Sequence, residues 1–291
     1  MENIGLILKK VRTSKGIKTK YVYEGILSRS MFYKFENGMS DISLNHFLAV
    51  TDRLNIAFNE LEGLVDYHDG YKDNLALLMT LHYKGEIESL REYAKQMSDL
   101  YKKKGLIFYK HLCILSNLLI CYVNNESFNK EEVQEIKEYL FKADIWMYYE
   151  LSLFTNSLFI FDLDVIDILF KKVSNSLNTM VVNNTDIFML VANILSLCFQ
   201  KNDLNRIRKY IKILNKLSIK NDIMFSHFLK KFYTSLYGYA ATGEERYETD
   251  LKLHLSYLES IDLKSMAESH RKLYELVKLN ISEGSNSNLS E

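Results

Sequence analysis

The sequence predicts an all-α protein, with a small N-terminal domain of five short helices and a larger body of helical hairpins. Three observations lead there. The 291 residues include no proline, so nothing removes a backbone donor or kinks a helix from within. Apolar side chains recur at helical spacing along most of the chain, and strand-like alternating Val/Thr runs are rare. The polar breaks Lys84-Gly85, Asn124–Ser127, Asn183-Asn184 and Thr242-Gly243 are short, which makes successive helices antiparallel neighbours. With 47% of the residues apolar or aromatic, a substantial core is available and wholesale disorder is excluded.

The first helix lies within Asn3–Lys15, where Ile4, Leu8 and Val11 share a face, and Gly16 ends it. A short second helix fits Thr19–Gly25. Ser28 is placed to cap a third helix that runs to about Glu36. On it Phe32 and Phe35 turn inward with Leu27, leaving Arg29, Ser30, Tyr33 and Lys34 outward, and Asn37-Gly38 closes it. Ser43 caps a fourth helix carrying Leu44, Phe47, Leu48 and Leu54. A fifth holds Phe58, Leu61 and Leu64. This domain spans residues 1–65.

The body, residues 66–281, reads as helices over Asp73–Tyr83, Ile87–Lys103, Leu106–Val123, Lys130–Ala143, Ile145–Phe161, Asp164–Val182, Thr185–Gln200, Leu204–Leu217, Ile223–Thr242, Tyr247–Ser260 and Lys264–Ile281. The polar tail 282–291 is expected to be disordered. One helix of each of three pairs carries an asparagine in an otherwise apolar surface: Asn117, Asn156 and Asn193. Their spacing suits a tetratricopeptide-like solenoid, although the strict signature of that repeat, with its proline, is absent. Such a solenoid presents a concave groove in which side-chain amides can bond an extended peptide backbone. The face that would line it offers Asn117, Glu150, Asn156, Asn193, Lys230, Tyr233 and Tyr237, together with Trp146, Leu153 and Phe188, which suit a core at least as well.

Charge is unevenly placed. The formal net charge is zero, yet residues 1–40 hold eight basic side chains against three acidic ones. A basic module on an acidic body suits phosphate binding. The outward row of the third helix could enter a major groove. Arg29 could bond a guanine bidentately; Ser30 and Lys34 could reach base edges or phosphate. Tyr33 could meet a phosphate or a thymine methyl, or simply pack. With the cap residue Ser28, these are the candidate DNA contacts of the third helix.

The stretch Ser28–Gly38, with its Glu-x-Gly ending, resembles the recognition helix of lambda-repressor-like helix-turn-helix domains, over residues 3–64. That resemblance implies an ion pair between Arg12 and Glu36, bracing the first helix against the third, and phosphate contacts from Lys18 and Thr19. Two departures stand out: Val22 or Tyr23 replaces a small residue of the second helix, and the turn glycine is displaced to Gly25. Three stretches extend the likeness nearly to full length: Leu27–Gly38; Ser40–Ser43 with Phe47 and Asp52–Asn55; and Ala143–Asn156, which carries a Trp-x-x-Tyr-Glu-Leu-x-Leu-Phe-x-Asn pattern. Together they resemble the Rgg regulators, within the group of peptide-pheromone receptors. The resemblance implies a homodimer, binding to double-stranded promoter DNA, and a short hydrophobic signalling peptide held in the groove, with Asn156 among its contacts. Two-fold symmetry would set the recognition helices about 34 Å apart.

Other classes find less support. No Gly-rich phosphate loop, His-x-x-x-His or Cys-x-x-Cys occurs, so neither an enzyme, a metal site nor a cofactor is expected. No uncharged apolar run of membrane-spanning length is read; Leu106–Val123 comes nearest, and Lys110, His111, Ser116 and Asn117 interrupt it. Without a signal-peptide pattern the expected location is the cytoplasm. Cys113, Cys121 and Cys198 sit in apolar helical stretches and read as free buried thiols. The competing readings are a helical-repeat interaction scaffold and a regulator controlled by a protein partner or by thiol redox state.

Overall fold

The computed structural model describes residues 3–57, 60, 63, 70–176, 184–219 and 223–287. Among them are fifteen α-helices, one 3-10 turn and no strand. The chain divides into two compact units, Met1–Met79 and Thr80–Glu291. The division falls within a helix, later than the boundary expected at residue 65.

The first unit contains α1 (Ile4–Ser14), α2 (Thr19–Tyr23), α3 (Arg29–Glu36) and α4 (Leu44–Arg53). The expected fifth helix, with Phe58, Leu61 and Leu64, lies outside the described residues. Short polar side chains cap three of these helices. Asn3 Oδ1 accepts from the Gly5 N–H at 2.9 Å, Ser28 Oγ from Met31 at 3.2 Å and Ser43 Oγ from His46 at 3.4 Å. Leu8, Val22, Phe32, Phe35, Val50 and Leu54 form the core. α2 ends sooner than expected, because Glu24 has left the helical region and Gly25 sits at φ +82°, which only glycine adopts freely.

Gly5 is where α1 meets α3. A Cβ added there would lie 1.9 Å from the Phe35 carbonyl oxygen. Gly5→Ala is therefore expected to push the helices apart and destabilise this unit by about 1–3 kcal/mol. Urea unfolding checks this, and an unchanged midpoint would refute the close approach as a constraint.

The remaining helices are α5 (Tyr71–Lys84), α6 (Ile87–Lys104), α7 (Ile107–Asn124), α8 (Lys130–Lys142), α9 (Tyr148–Ser157), α10 (Leu163–Ser176), α11 (Asn184–Gln200), α12 (Leu204–Lys216), α13 (Met224–Thr242), α14 (Glu245–Ser260) and α15 (Lys264–Ser287). The last runs past the expected end at Ile281, so the tail expected to be disordered from Ser282 is helical as far as Ser287; each residue added to an existing helix gains a backbone bond. Residues 177–183 of the expected Asp164–Val182 helix and of the break after it lie outside the described residues.

α9 starts three residues later than expected. Trp146 is fully buried and donates its indole N–H to the Ala143 carbonyl at 3.2 Å, while Met147 is extended. Glu150 Oε2 accepts from the Met147 N–H at 3.0 Å, the carboxylate half of a capping box.

Odd-numbered helices form one layer: α7 packs on α9, α9 on α11, α11 on α13, and α13 on α15. α8, α12 and α14 each pair with a member of that layer. One apolar cluster runs from Ile114 and Leu118 of α7 to Tyr274 and Val277 of α15. This is how a solenoid buries surface that no single hairpin could bury. Polar clasps join the successive outer helices α10 and α12. Arg206 pairs with Asp164, Asp167 and Asp203, and the Tyr210 hydroxyl donates to Asp167 at 2.7 Å. Burial opposes ionisation of Asp167, yet hydrogen bonds from Lys209, Tyr210 and Arg206 outweigh it and hold the carboxyl below its usual range.

The 18 residues Ile107–Asn124, mean hydropathy 1.3, are long and apolar enough by length and composition to cross a membrane, although Lys110 interrupts the run as the sequence reading has it. Half of that stretch is buried inside the protein. Leu112, Leu115, Leu118 and Leu119 lie in its interior, which is what a core helix needs.

Candidate nucleic-acid interface and peptide groove

α3 is amphipathic in the manner required of a helix presented to a ligand. Phe32 and Phe35 anchor one side in the core, at 1% and 2% exposure. Arg29, Ser30, Tyr33 and Lys34 are exposed on the other, and so is the cap residue Ser28. Lys18 and Thr19, at the start of α2, are exposed as well. Arg29, Ser30, Tyr33 and Lys34 thus form a row of hydrogen-bonding groups, two of them cationic, on a capped helix.

Buried polar contacts fix that helix. Arg12 Nε donates to Glu36 Oε1 at 2.6 Å and its Nη2 to Oε2 at 3.2 Å. A third donor, Nη1, reaches the Ile17 carbonyl at 3.0 Å. Lys9 Nζ donates to Asn37 Oδ1 at 2.7 Å, just past the end of α3. Lys15 was counted in the basic balance alone, yet it donates to the Leu54 and Asn55 carbonyls at 2.8 and 3.0 Å and so closes α4.

The residues proposed for a peptide groove separate into two groups. Asn117 Nδ2 donates to Glu132 of α8 at 2.7 Å. Glu150 caps α9 and accepts from the Tyr139 hydroxyl at 2.8 Å. Lys230 donates to the Asn215 carbonyl of α12 at 3.1 Å. These three are engaged with their own helix starts or the outer layer. Leu153, Phe188 and Trp146 belong to the core.

The second group gathers on the odd-numbered layer. Thr155, Leu158, Phe159, Asn193, Ser196 and Leu197 line a hollow of about 180 Å³ between α9 and α11. Asn193 is exposed at it. Tyr233 is buried, and its hydroxyl is hydrogen-bonded to Ser196. Asn156 is half-buried and donates to the Ser152 carbonyl at 2.7 Å, which uses one of its groups. Tyr237 is half-buried against the core. Phe159 extends the hollow as an aromatic cluster, 5.0 Å from Tyr122 and 5.7 Å from Phe128 between ring centres. Sequence reasoning missed Thr155, Leu158, Phe159, Ser196 and Leu197. Signals existed for two of them: Thr155 adjoins Asn156, and Ser196 lies one helical turn beyond Asn193.

All three cysteines are free, but only Cys198 is buried as expected; Cys113 and Cys121 are half-buried. Burial raises each thiol pKa first, with Glu132 adding for Cys113 and Asp203 adding for Cys198, which is pushed up to about 12. Thiolate, the reactive form, is thus disfavoured at neutral pH. Among the described residues no cluster of His, Cys, Asp and Glu could hold a metal ion.

Residues 87–272 match the family described as the C-terminal domain of the HTH-type transcriptional regulator Rgg. The chain belongs to the Rgg family. Solved structures share the fold across nearly the whole length. A Listeria monocytogenes EGD-e protein assigned as a transcriptional regulator is similar with TM-score 0.79 and 18% identity over 98% of both chains. The Streptococcus dysgalactiae SHP pheromone receptor Rgg2 is similar with TM-score 0.75 and 18% identity, over 94% of this chain and 98% of that one. PrgX in complex with iCF10 is similar with TM-score 0.76 and 15% identity, over 97% and 98%. The all-helical architecture of this Rgg protein is therefore shared with proteins described as a pheromone receptor and as a peptide pheromone/receptor complex.

Proposed function

We propose that this Rgg protein is a cytoplasmic, homodimeric DNA-binding transcription regulator whose output is set by a short hydrophobic peptide. The outward row Arg29, Ser30, Tyr33 and Lys34 on a capped, core-anchored helix carries the DNA half. Bases are read by the first turns of such a helix, and Arg29 is the residue able to bond guanine through two atoms. Ser28, Lys18 and Thr19 contribute to phosphate contacts, which position without specifying. Each protomer supplies one α3 to a pseudo-palindromic site.

The peptide half rests on the hollow between α9 and α11 and on its neighbours. Asn193, with the remaining amide capacity of Asn156, offers backbone-bonding groups beside the apolar Phe159, Leu158 and Leu197. Tyr233 and Tyr237 border the same layer. Asn117, Glu150 and Lys230 take part only if their present bonds are exchanged. Similar folds named as a pheromone receptor and as a receptor in complex with a peptide pheromone support this reading. A peptide shifts the equilibrium between two states only by its difference in affinity for them.

The test is binding of the full-length protein to the DNA upstream of its own gene, with and without short hydrophobic peptides encoded nearby. Arg29→Ala is expected to weaken specific binding by about 10- to 100-fold, the worth of one bidentate base contact. Lys34→Ala, if it loses a phosphate contact, lowers the slope of log K against log salt by about 1. Specific binding that is indifferent to Arg29→Ala would sink the recognition-helix assignment. In the peptide arm, Asn193→Ala is expected to cost about tenfold in affinity, one neutral hydrogen bond; unchanged affinity removes Asn193 from the site.

A further inference from the structure

A second hollow, which shares no lining residue with the one between α9 and α11, opens between α13 and α14. It measures about 550 Å³, within the range of about 300–1,000 Å³ typical of small-molecule sites. Phe225, Phe228, Leu253, Tyr257, Ile261 and Leu263 make its walls. Several stay in contact with solvent: Leu253 is 67% exposed and Ile261 47%. So much apolar surface in one concavity calls for an occupant.

The polar groups of the hollow say what kind. Lys231 and Asp250 face each other across the rim as an ion pair, and Ser235 also donates to Asp250. Their charges cancel locally. His254 contributes to the lining, yet it is itself only 5% exposed. Its Nε2 bonds His270 Nδ1 at 2.9 Å, and its Nδ1 is buried with no hydrogen-bond partner. An orphaned buried nitrogen is costly unless something completes it. Phe228 stacks on the imidazole with ring centres 3.8 Å apart and is the cover that an occupant would displace.

We propose that this hollow binds an uncharged, mainly apolar small molecule with one hydrogen-bonding group, which meets His254 Nδ1. Both imidazoles are neutral at physiological pH, because burial holds them well below the usual histidine range. The hollow therefore has no spare charge to balance an ionic ligand. The His254–His270 bond makes the site adaptable. When His254 Nε2 donates, Nδ1 is an acceptor; when His270 Nδ1 donates instead, His254 Nδ1 carries the proton. A hydroxyl or an amide N–H can thus be received in either sense.

The probe is N-phenyl-1-naphthylamine, uncharged with a single N–H, titrated into the full-length protein by fluorescence. Its anionic relative 1-anilinonaphthalene-8-sulfonate is titrated in parallel. The expected result is saturable binding of one neutral probe per chain, with the sulfonate at least about tenfold weaker. Leu253→Arg, at the exposed rim, is expected to abolish binding. His254→Phe, with helicity checked by circular dichroism, should weaken it about tenfold, the worth of one hydrogen bond. Asn193→Ala should leave it unchanged. Equal affinity for both probes, or retention of binding in Leu253→Arg, overturns the proposal. Conversion of a dimer to a monomer by Leu253→Arg, seen by light scattering, overturns it too, by making this face an interface between copies.

Discussion

Arg12→Ala is expected to lower the stability of the N-terminal unit by about 3–5 kcal/mol, the cost of removing one partner of a buried ion pair. The magnitude follows from burial. The Glu36 side chain is 6% exposed and that of Arg12 14%. Removing the guanidinium leaves a carboxylate with little water to replace the two bonds it accepted. The Ile17 carbonyl loses its bond to Arg12 as well, which loosens the start of the loop between α1 and α2. Arg12→Lys keeps the charge but not the planar fork, and is expected to recover only part of the loss. Urea unfolding monitored by circular dichroism provides the measurement. A midpoint within experimental error of the wild type would mean that the pair is dispensable. Gly5 lies on the same α1–α3 contact, so Gly5→Ala and Arg12→Ala should not combine additively.

The larger unit is expected to lose stability steeply as pH falls below 6.5. His111, His254 and His270 are held down by burial, to about 4, about 3 and about 4. A charge on His270 would further disfavour one on His254. Each folded-state value lies below the unfolded one near 6.5. Between those limits the unfolded chain binds protons that the folded chain refuses. The stabilisation is complete above 6.5 and is lost as pH drops towards 4. Each histidine contributes at most about 1.4 kcal/mol per pH unit, and less where water screens it. His111 should report this separately: its Nδ1 shares a 2.6 Å hydrogen bond with the Tyr149 hydroxyl, and its Nε2 is buried without a partner. Stability measured from pH 7.5 to 4.5 should show the slope, and His111→Gln should reduce it by one proton's share. A flat profile over that interval would contradict the neutral buried state.

Much of the secondary structure was legible from local sequence. Ser28 and Ser43 cap the helices they were expected to cap, because an N-cap needs only a short polar side chain and the amides that follow it. One helix start missed by three residues has a tertiary cause. At α9 it is the burial of Trp146 that delays the first turn to Tyr148. The outward row of α3 was legible because Phe32 and Phe35, three apart, leave no choice of which side faces the core.

The candidate groove was legible only in outline. Asn117, Asn156 and Asn193 look equivalent in the sequence, yet one bonds a glutamate of α8, one its own helix backbone, and one faces the hollow. Periodicity tells which face of a helix is apolar; it does not tell which neighbour a polar group on the border will meet. The sequence by itself determined an all-helical chain of capped amphipathic segments, a basic N-terminal module and an exposed polar row on α3, all set by residues close together in the chain. Only the tertiary structure decided the contact that requires Gly5, the use of Lys15 as a helix-ending donor and the His254–His270 pair. Each of these joins groups far apart in the chain, and buried polar atoms take whichever partner the packing brings within reach.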